Sequence, residues 1–477
     1  MTNLSDFVKA YDVRGLVPQQ LSPAVARALG TAFAEVVALH EGHDRIVIGH
    51  DMRASSPELS AAFADGVTSR GVDVTLIGLC STDGLYYASG VLDVPGAMFT
   101  ASHNPSAYNG IKLCRSGARP VGQDSGLAEI RDLAQWLLDS GSGLPAPARG
   151  PGSTEVRDML ADYARFLRGL VDLSRSRPLK VVVDAANGMG GYTVPAVLGT
   201  AAGLPELPLE IVPLYFELDG TFPNHEANPL DPANLVDLQA TVPRHGADLG
   251  LAFDGDADRC FVVDASGEPV SPSAITGLVA AREISRARAA GQQGVAIVHN
   301  VISSAAVPEV VREHGATPVR TRVGHSFIKA EMARVGAVFG GEHSAHYYFK
   351  DFWYADTGML AAMHVLAALG EQEGTLADLT AEFDRYAASG EINSTVADQA
   401  SAVDAVRDWA TGHGAGLDEL DGLTVSSPPD SPPMWWFNVR ASNTEPLLRL
   451  NVEAADRETM TRVRDEILAL IRGGAES

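Results

Sequence analysis

The chain has 477 residues, of which 45% are apolar, 20% charged and 6% aromatic. This is globular composition over a length of roughly three or four domains, which excludes global disorder, collagen-like repeats and coiled coil. Thirty-six Lys and Arg against 60 Asp and Glu leave a formal charge of −24, which repels phosphate backbones and anionic membranes, so no nucleic acid or membrane partner is expected and an anionic substrate needs a local cluster of cations.

From the N-terminus, M-T-N-L-S-D-F lacks the apolar stretch of a secretory signal, and no run of about 18 apolar residues follows anywhere. Cys80, Cys114 and Cys260 are odd in number and far apart, which argues against a disulfide framework or a cysteine zinc site. A cytoplasmic protein is expected. Ser22-Pro23 caps a predicted helix over 22–39. Apolar strands follow at 45–50, 72–77 and 95–100, the first ending in polar residues. The Gly-, Pro- and Ser-rich run 141–153 reads as a linker or exposed loop. The pattern of strand and polar loop returns at 179–184 and at 294–299. Strand starts near 45, 180 and 295 are spaced by a domain length, so three related α/β domains are expected. The most apolar helix candidate, 359–369, is short and carries His364. The tail reads as helix 376–388, strand, helix 402–410, a Ser- and Pro-rich turn, strands 435–440 and 447–452, and helix 457–471: a smaller α+β domain.

Four segments carry chemistry. In D-L-G-L-A-F-D-G-D-A-D-R-C-F-V-V-D, two apolar strands flank Asp254, Asp256 and Asp258, with Arg259 next. Three carboxylates in five residues repel one another, and a hard divalent cation would relieve this; few ligands are offered, which suits Mg²⁺ with positions left for water or phosphate. A solvated acidic turn is the plainer alternative, and an EF-hand lacks its later ligands. The second segment is Thr100-Ala101-Ser102-His103-Asn104-Pro105 with Asn109-Gly110-Ile111-Lys112, in the loop after a strand, where α/β active sites lie. Adjacent Ser and His without G-x-S-x-G do not make a hydrolase triad. The third is Gly341-Glu342-His343-Ser344-Ala345-His346, suited to sugar hydroxyls, with Arg322-Val323-Gly324-His325 upstream. The fourth, Arg440-Ala441-Ser442-Asn443-Thr444, offers a forked cation and neutral donors for an anion.

In this order and spacing the four segments resemble the α-D-phosphohexomutase superfamily, from Tyr11-Asp12-Val13-Arg14-Gly15 to the Arg440 loop. The resemblance implies three related mixed-sheet α/β domains and a smaller C-terminal α+β domain around a central cleft. The corresponding boundaries are 1–150 (phosphoserine loop), 151–265 (metal loop), 266–373 (sugar loop) and 374–477 (phosphate loop). It implies that Ser102 is a phosphoserine and, with Asp254, Asp256 and Asp258, a Mg²⁺ ligand. His103, Lys112, Arg259, His325 and Arg14 fall at catalytic positions. Tyr11, Arg322, Gly324, His325, Glu342, His343, Ser344 and His346 fall at substrate positions. Arg440, Ser442, Asn443 and Thr444 match the loop gripping the phosphate that is not transferred. The implied activity interconverts hexose 6-phosphate and hexose 1-phosphate through a hexose 1,6-bisphosphate that turns around in the site.

His343 stands where phosphomannomutase or dual-specificity loops carry Met or His, and phosphoglucosamine mutases tend to carry Gln. Mannose phosphates are therefore expected, with glucose phosphates as alternatives. A basic residue common in relatives is missing from 300–306, which leaves Arg320 or Arg322 to replace it. Two other classes compete. A dehalogenase-type phosphatase with Asp254 as nucleophile wants Thr or Val where Asp258 stands. A non-catalytic sugar-phosphate binder would be expected to have lost Ser102 or an aspartate. The expected assembly is a monomer or weak dimer.

Overall fold

A computed structural model describes residues 2–9, 11–141, 143–148, 150–428, 430–441 and 447–473. The chain divides into two compact units, residues 1–270 with 344–379, and residues 271–343 with 380–477.

The first unit holds two sheets. Arg45–His50 is central to the first, parallel to Gly96–Phe99 on one side and Asp73–Leu79 on the other. Tyr108–Arg115 runs antiparallel to Gly96–Phe99, and Val13–Leu16 closes that edge. Ile46, Val47 and Ile48 are buried, as a strand covered on both faces demands. The helices Pro23–Phe33 and Ser56–Thr68 pack at two glycines. A Cβ on Gly30 would lie 2.2 Å from the Phe63 carbonyl, and one on Gly66 2.1 Å from that of Arg27. Ser22 caps the first helix at the Val25 amide, and its continuation, Ala34–Leu39, is a π-helix. The Gly- and Pro-rich run leads into Thr154–Val156, which adds a parallel strand beside Asp73–Leu79.

The second sheet has the order Pro269–Val270, Cys260–Asp264, Leu249–Phe253, Leu179–Asp184, Leu209–Leu214. Leu249–Phe253 and Cys260–Asp264 are buried throughout and pair antiparallel. The six residues between them are the aspartate loop. The helix Gly358–Gly370 is buried along its whole length, which accounts for its apolar sequence. A Cβ on Gly358 would meet the Arg259 backbone at 2.6 Å.

In the second unit, Thr317–Thr321, Ala296–Asn300 and Phe339–Gly341 run parallel. An antiparallel sheet follows, in the order Ala387–Thr395, Leu447–Ala454, Trp435–Ala441, Leu423–Ser426, Gly416–Asp418. Its core joins Phe437, Val439, Leu450 and Val452 to Val406, Val463 and Ile467 from the helices Gln399–Gly412 and Arg457–Gly473.

One predicted element fails. The expected helix 376–388 stops at Leu376–Thr380, and strand Ala387–Thr395 begins seven residues later. Leu376, Leu379 and Phe383 keep helical spacing, but Phe383 instead packs on Gly277. Pairing of Ala387–Thr395 with Leu447–Ala454 overrides local propensity. Among the described residues no helix is long and apolar enough to cross a membrane.

Candidate active site

Ser102 lies in the loop between strands Gly96–Phe99 and Tyr108–Arg115. It is 3% exposed, and its backbone is left-handed at φ 51°, a conformation that costs a non-glycine residue about 1–3 kcal/mol and persists only when surroundings impose it. Thr100 Oγ1 accepts from the Ser102 amide at 2.9 Å. The Ser102 hydroxyl donates to Asp254 Oδ2 at 2.8 Å. The two loops meet so closely that a Cβ on Gly255 would lie 2.4 Å from the Ser102 carbonyl oxygen. Glycine is therefore required between the first two aspartates.

Strand geometry brings the other charges in. Lys112, opposite Met98 in the sheet, donates to Asp256 Oδ2 at 2.6 Å and Asp258 Oδ2 at 2.5 Å. Thr82, the first residue of the helix Thr82–Leu92, donates to Asp256 Oδ2 at 2.5 Å. Arg259 Nε donates to Asp254 Oδ2 at 3.0 Å, and its Nη2 lies 2.6 Å from His103 Nδ1. A guanidinium only donates, so His103 Nδ1 accepts and the imidazole is neutral. Burial, then Arg259 and Arg14, hold the His103 pKa well below its ordinary value. Arg14 bridges Asp12 at 2.8 Å and the Asn104 side chain at 2.7 Å. Tyr11, partly buried, precedes it on the same segment. His346 Nδ1 lies 3.0 Å from Asp356 Oδ2 and 3.9 Å from Asp258 Oδ1.

The electrostatics are strongly uneven. Burial, reinforced by Asp258 and Asp256 and opposed by Arg259, pushes Asp254 up to about 6. Burial also disfavours ionised Asp256, but Lys112 and the neighbouring hydroxyls outweigh it and hold that carboxyl below its ordinary range. Lys112 is the converse: burial opposes its charge, and Asp256 and Asp258 prevail and raise its pKa. For His346, burial is outweighed by Asp258 and Asp356, and the pKa rises.

The aspartates fit a divalent cation. One oxygen from each of Asp254, Asp256 and Asp258 lies within 4.8 Å of the others. Asp256 Oδ1 and Asp258 Oδ1 are buried without a hydrogen-bond partner, a costly state for an ionised oxygen that a hard cation would relieve.

In the second unit, buried Glu342 accepts from the Gly324 amide at 3.0 Å and the Asn300 amide group at 3.1 Å. The segments singled out around 324 and 342 are thus joined. His325 opens the helix His325–Val335. His343 Nδ1 lies 3.1 Å from Ser273 Oγ, and burial lowers its pKa. Ser344 is partly exposed and belongs to the first unit. Of the two arginines considered as replacements for the missing base, Arg320 pairs with Asp418 at 2.6 Å and Arg322 stacks over Phe327 at 4.5 Å. Arg440 donates to Glu391 at 2.9 Å; Ser442, Asn443 and Thr444 lie outside the described residues.

Sequence reasoning missed Thr82, Asp356 and Arg449. Arg449 sits directly opposite Arg440 on the paired strands, and both reach Glu391. Two facing cations repel, and the shared Glu391 carboxylate offsets part of that repulsion. The placement of both arginines on neighbouring predicted strands, 435–440 and 447–452, was a usable signal. Thr82 and Asp356 had none, since their partners are far away in sequence.

Comparison with known proteins covers nearly the whole chain. Models of the phosphoglucomutase/phosphomannomutase family match it in four parts: α/β/α domain I at residues 6–136, domain II at 161–267, domain III at 272–386 and the C-terminal domain at 391–470. A protein of Xanthomonas campestris described as phosphohexose mutases is 40% identical over 98% of this chain and 99% of its own. An Escherichia coli phosphomannomutase is 38% identical over 99% of this chain and 100% of its own. The crystal structure of a family protein from Burkholderia thailandensis is 32% identical, with a TM-score of 0.85 over 100% of this chain and 99% of that one.

Proposed function

This chain belongs to the phosphoglucomutase/phosphomannomutase family and is a phosphohexose mutase, and we propose that it interconverts mannose 6-phosphate and mannose 1-phosphate through a phosphoserine at Ser102. The observation that carries the mechanism is Ser102 itself: a buried hydroxyl in a left-handed turn, 2.8 Å from an Asp254 oxygen that Arg259 also reaches. The mannose preference rests on the phosphomannomutase relatives, of which the E. coli protein is 38% identical. The broader name of the 40% identical relative supports glucose phosphates as further substrates, since the two sugars differ only at C2.

In the proposed reaction, the phosphoryl group on Ser102 passes to the free hydroxyl of the bound hexose phosphate. The Oγ–P bond breaks, a sugar O–P bond forms, the hydroxyl proton leaves to a base, and the released Ser102 Oγ takes up a proton in turn. The resulting hexose 1,6-bisphosphate turns around, and its other phosphate returns to Ser102. Asp254, Asp256 and Asp258 would hold Mg²⁺, with the Ser102 phosphate as a further ligand, and the ion would offset phosphoryl charge. Lys112, whose proton is held by two carboxylates, suits charge stabilisation better than proton abstraction. Arg259 orients Asp254 and keeps His103 neutral. Arg14 steadies the loop through Asn104. Glu342, fixed by Asn300 and Gly324, and Ser344 would read hydroxyls that exchange places when the sugar turns. Arg440 and Ser442 to Thr444 would hold the distal phosphate.

Phosphorus NMR of the protein with Mg²⁺, a trace of hexose 1,6-bisphosphate and mannose 1-phosphate tests this. Mannose 6-phosphate is the expected product, and a parallel run with glucose 1-phosphate measures the preference. A protein that turns over glucose 1-phosphate and leaves mannose 1-phosphate untouched contradicts the substrate assignment.

A further inference from the structure

The strand Arg45–His50 ends in Asp51-Met52-Arg53, a segment to which no chemistry has been assigned. Arg53 is 2% exposed, and its guanidinium collects four backbone carbonyls of the Ser102 loop. Nη2 donates to Ser102 O at 2.9 Å and Asn104 O at 2.6 Å. Nη1 donates to Pro105 O at 3.0 Å and Tyr108 O at 2.9 Å. The loop is wrapped around one side chain.

That side chain is itself fixed. The Arg53 amide donates to Asp51 Oδ1 at 2.9 Å, and Nε lies 3.2 Å from Asp51 Oδ2. Ser56 Oγ holds the same Asp51 oxygen at 2.7 Å. Ser55 and Ser56 accept from Asn109, which ties the far end of the loop to the same turn. Phe222 lies under the guanidinium at 5.1 Å. A Cβ on Gly220 would come within 2.8 Å of Arg53 Cα, so the second sheet's domain closes over it without room to spare.

We propose that Arg53 is a positioning residue for the nucleophile: its four-carbonyl clamp imposes the left-handed turn that aims Ser102 Oγ at Asp254. The inference rests on the phosphoserine reading of Ser102. Two physical points carry it. A left-handed serine does not hold itself, and Arg53 is bonded to the carbonyl of that very residue. The planar fork is essential, because an ammonium offers its three donors from a single nitrogen and cannot span four carbonyls.

The test compares full-length Arg53→Lys and Arg53→Ala with wild type, in kinetics, thermal melting, amide exchange and mass of the Ser102 peptide after hexose 1,6-bisphosphate. Arg53→Lys keeps charge and most of the volume, so it serves even if Arg53→Ala does not fold. The expected result is a kcat per folded molecule lower by about 10²-fold, the scale of a small misplacement of a reacting group, with KM changed by less than about threefold. Amides of residues 102–108 exchange faster while the rest of the chain does not. Free guanidinium partly restores folded Arg53→Ala and not wild type. Arg53→Lys with wild-type kcat and only a lower melting temperature overturns the inference and leaves Arg53 a stability residue. Wild type that takes no phosphate on Ser102 overturns the underlying reading instead.

Discussion

The aspartate loop of the first unit and the arginine pair of the second both gather charge, and they do so in opposite ways. Around Ser102 the charges are paired with opposite ones, Lys112 with Asp256 and Asp258 and Arg259 with Asp254, while Asp256 Oδ1 and Asp258 Oδ1 stay buried without a hydrogen-bond partner. On the antiparallel sheet of the second unit, Arg440 and Arg449 face each other and share one glutamate, Glu391. The first arrangement is a fixed field around one hydroxyl, suited to stabilising charge that moves during reaction. The second sets two cations against one carboxylate, a surplus suited to an anion that binds and leaves. On an acidic chain of charge −24, such a local surplus would favour an anionic ligand.

Changes in the first region are expected to reduce kcat and changes in the second to raise KM. The largest effect is expected from Ser102→Ala, with turnover down by at least about 10³-fold and melting temperature little changed; rapid-quench and calorimetric measurements check both halves. Lys112→Met should reduce kcat by about 10²–10³-fold in steady-state assays, with KM for the hexose phosphate nearly constant. Arg449→Met should do the converse, raising KM by about tenfold with kcat held. An equal loss of kcat in Arg449→Met would erase the distinction between the regions.

The smallest effect concerns stability. Asp83 is fully buried in the first unit, where it accepts from Ser81, Tyr163 at 2.7 Å and Thr357 at 2.7 Å. Burial raises its pKa from 3.8 to about 6, against the pull of those hydroxyls. The folded state therefore holds this proton more tightly than the unfolded chain. Its contribution is present below pH 3.8 and is lost as pH rises through about 6, since stability falls wherever the native state binds more protons. Asp83→Asn should flatten the pH dependence of denaturant unfolding across that window. An unchanged slope would show that other groups dominate there.

Much of this was legible in the sequence where the information is local. The strand at 179–184 is Leu179–Asp184 in the structure, because a run of β-branched valines behind a single Lys180 and ending in Asp favours a buried strand. The aspartate loop could be read because its three carboxylates lie within five residues and its spacers are Gly and Ala. What was not legible is set by distant partners. Helical spacing from Leu376 to Phe383 is real, yet strand pairing with Leu447–Ala454 decides the conformation beyond it. Arg53 looks like any surface arginine until the loop 102–108 closes on it. Asp356 acquires meaning only when the hairpin Tyr347–Phe349 and Ala355–Asp356 brings it to His346.

Whether Ser102 carries the phosphoryl group is measured directly by peptide mass analysis of the protein after brief exposure to hexose 1,6-bisphosphate. The predicted result is one phosphoryl group, stable in acid, on the peptide holding Thr100 to Pro105 and absent from Ser102→Ala. A phosphoryl group found instead on the peptide holding Asp254, and lost in acid, would contradict the account and return the aspartate to the role of nucleophile.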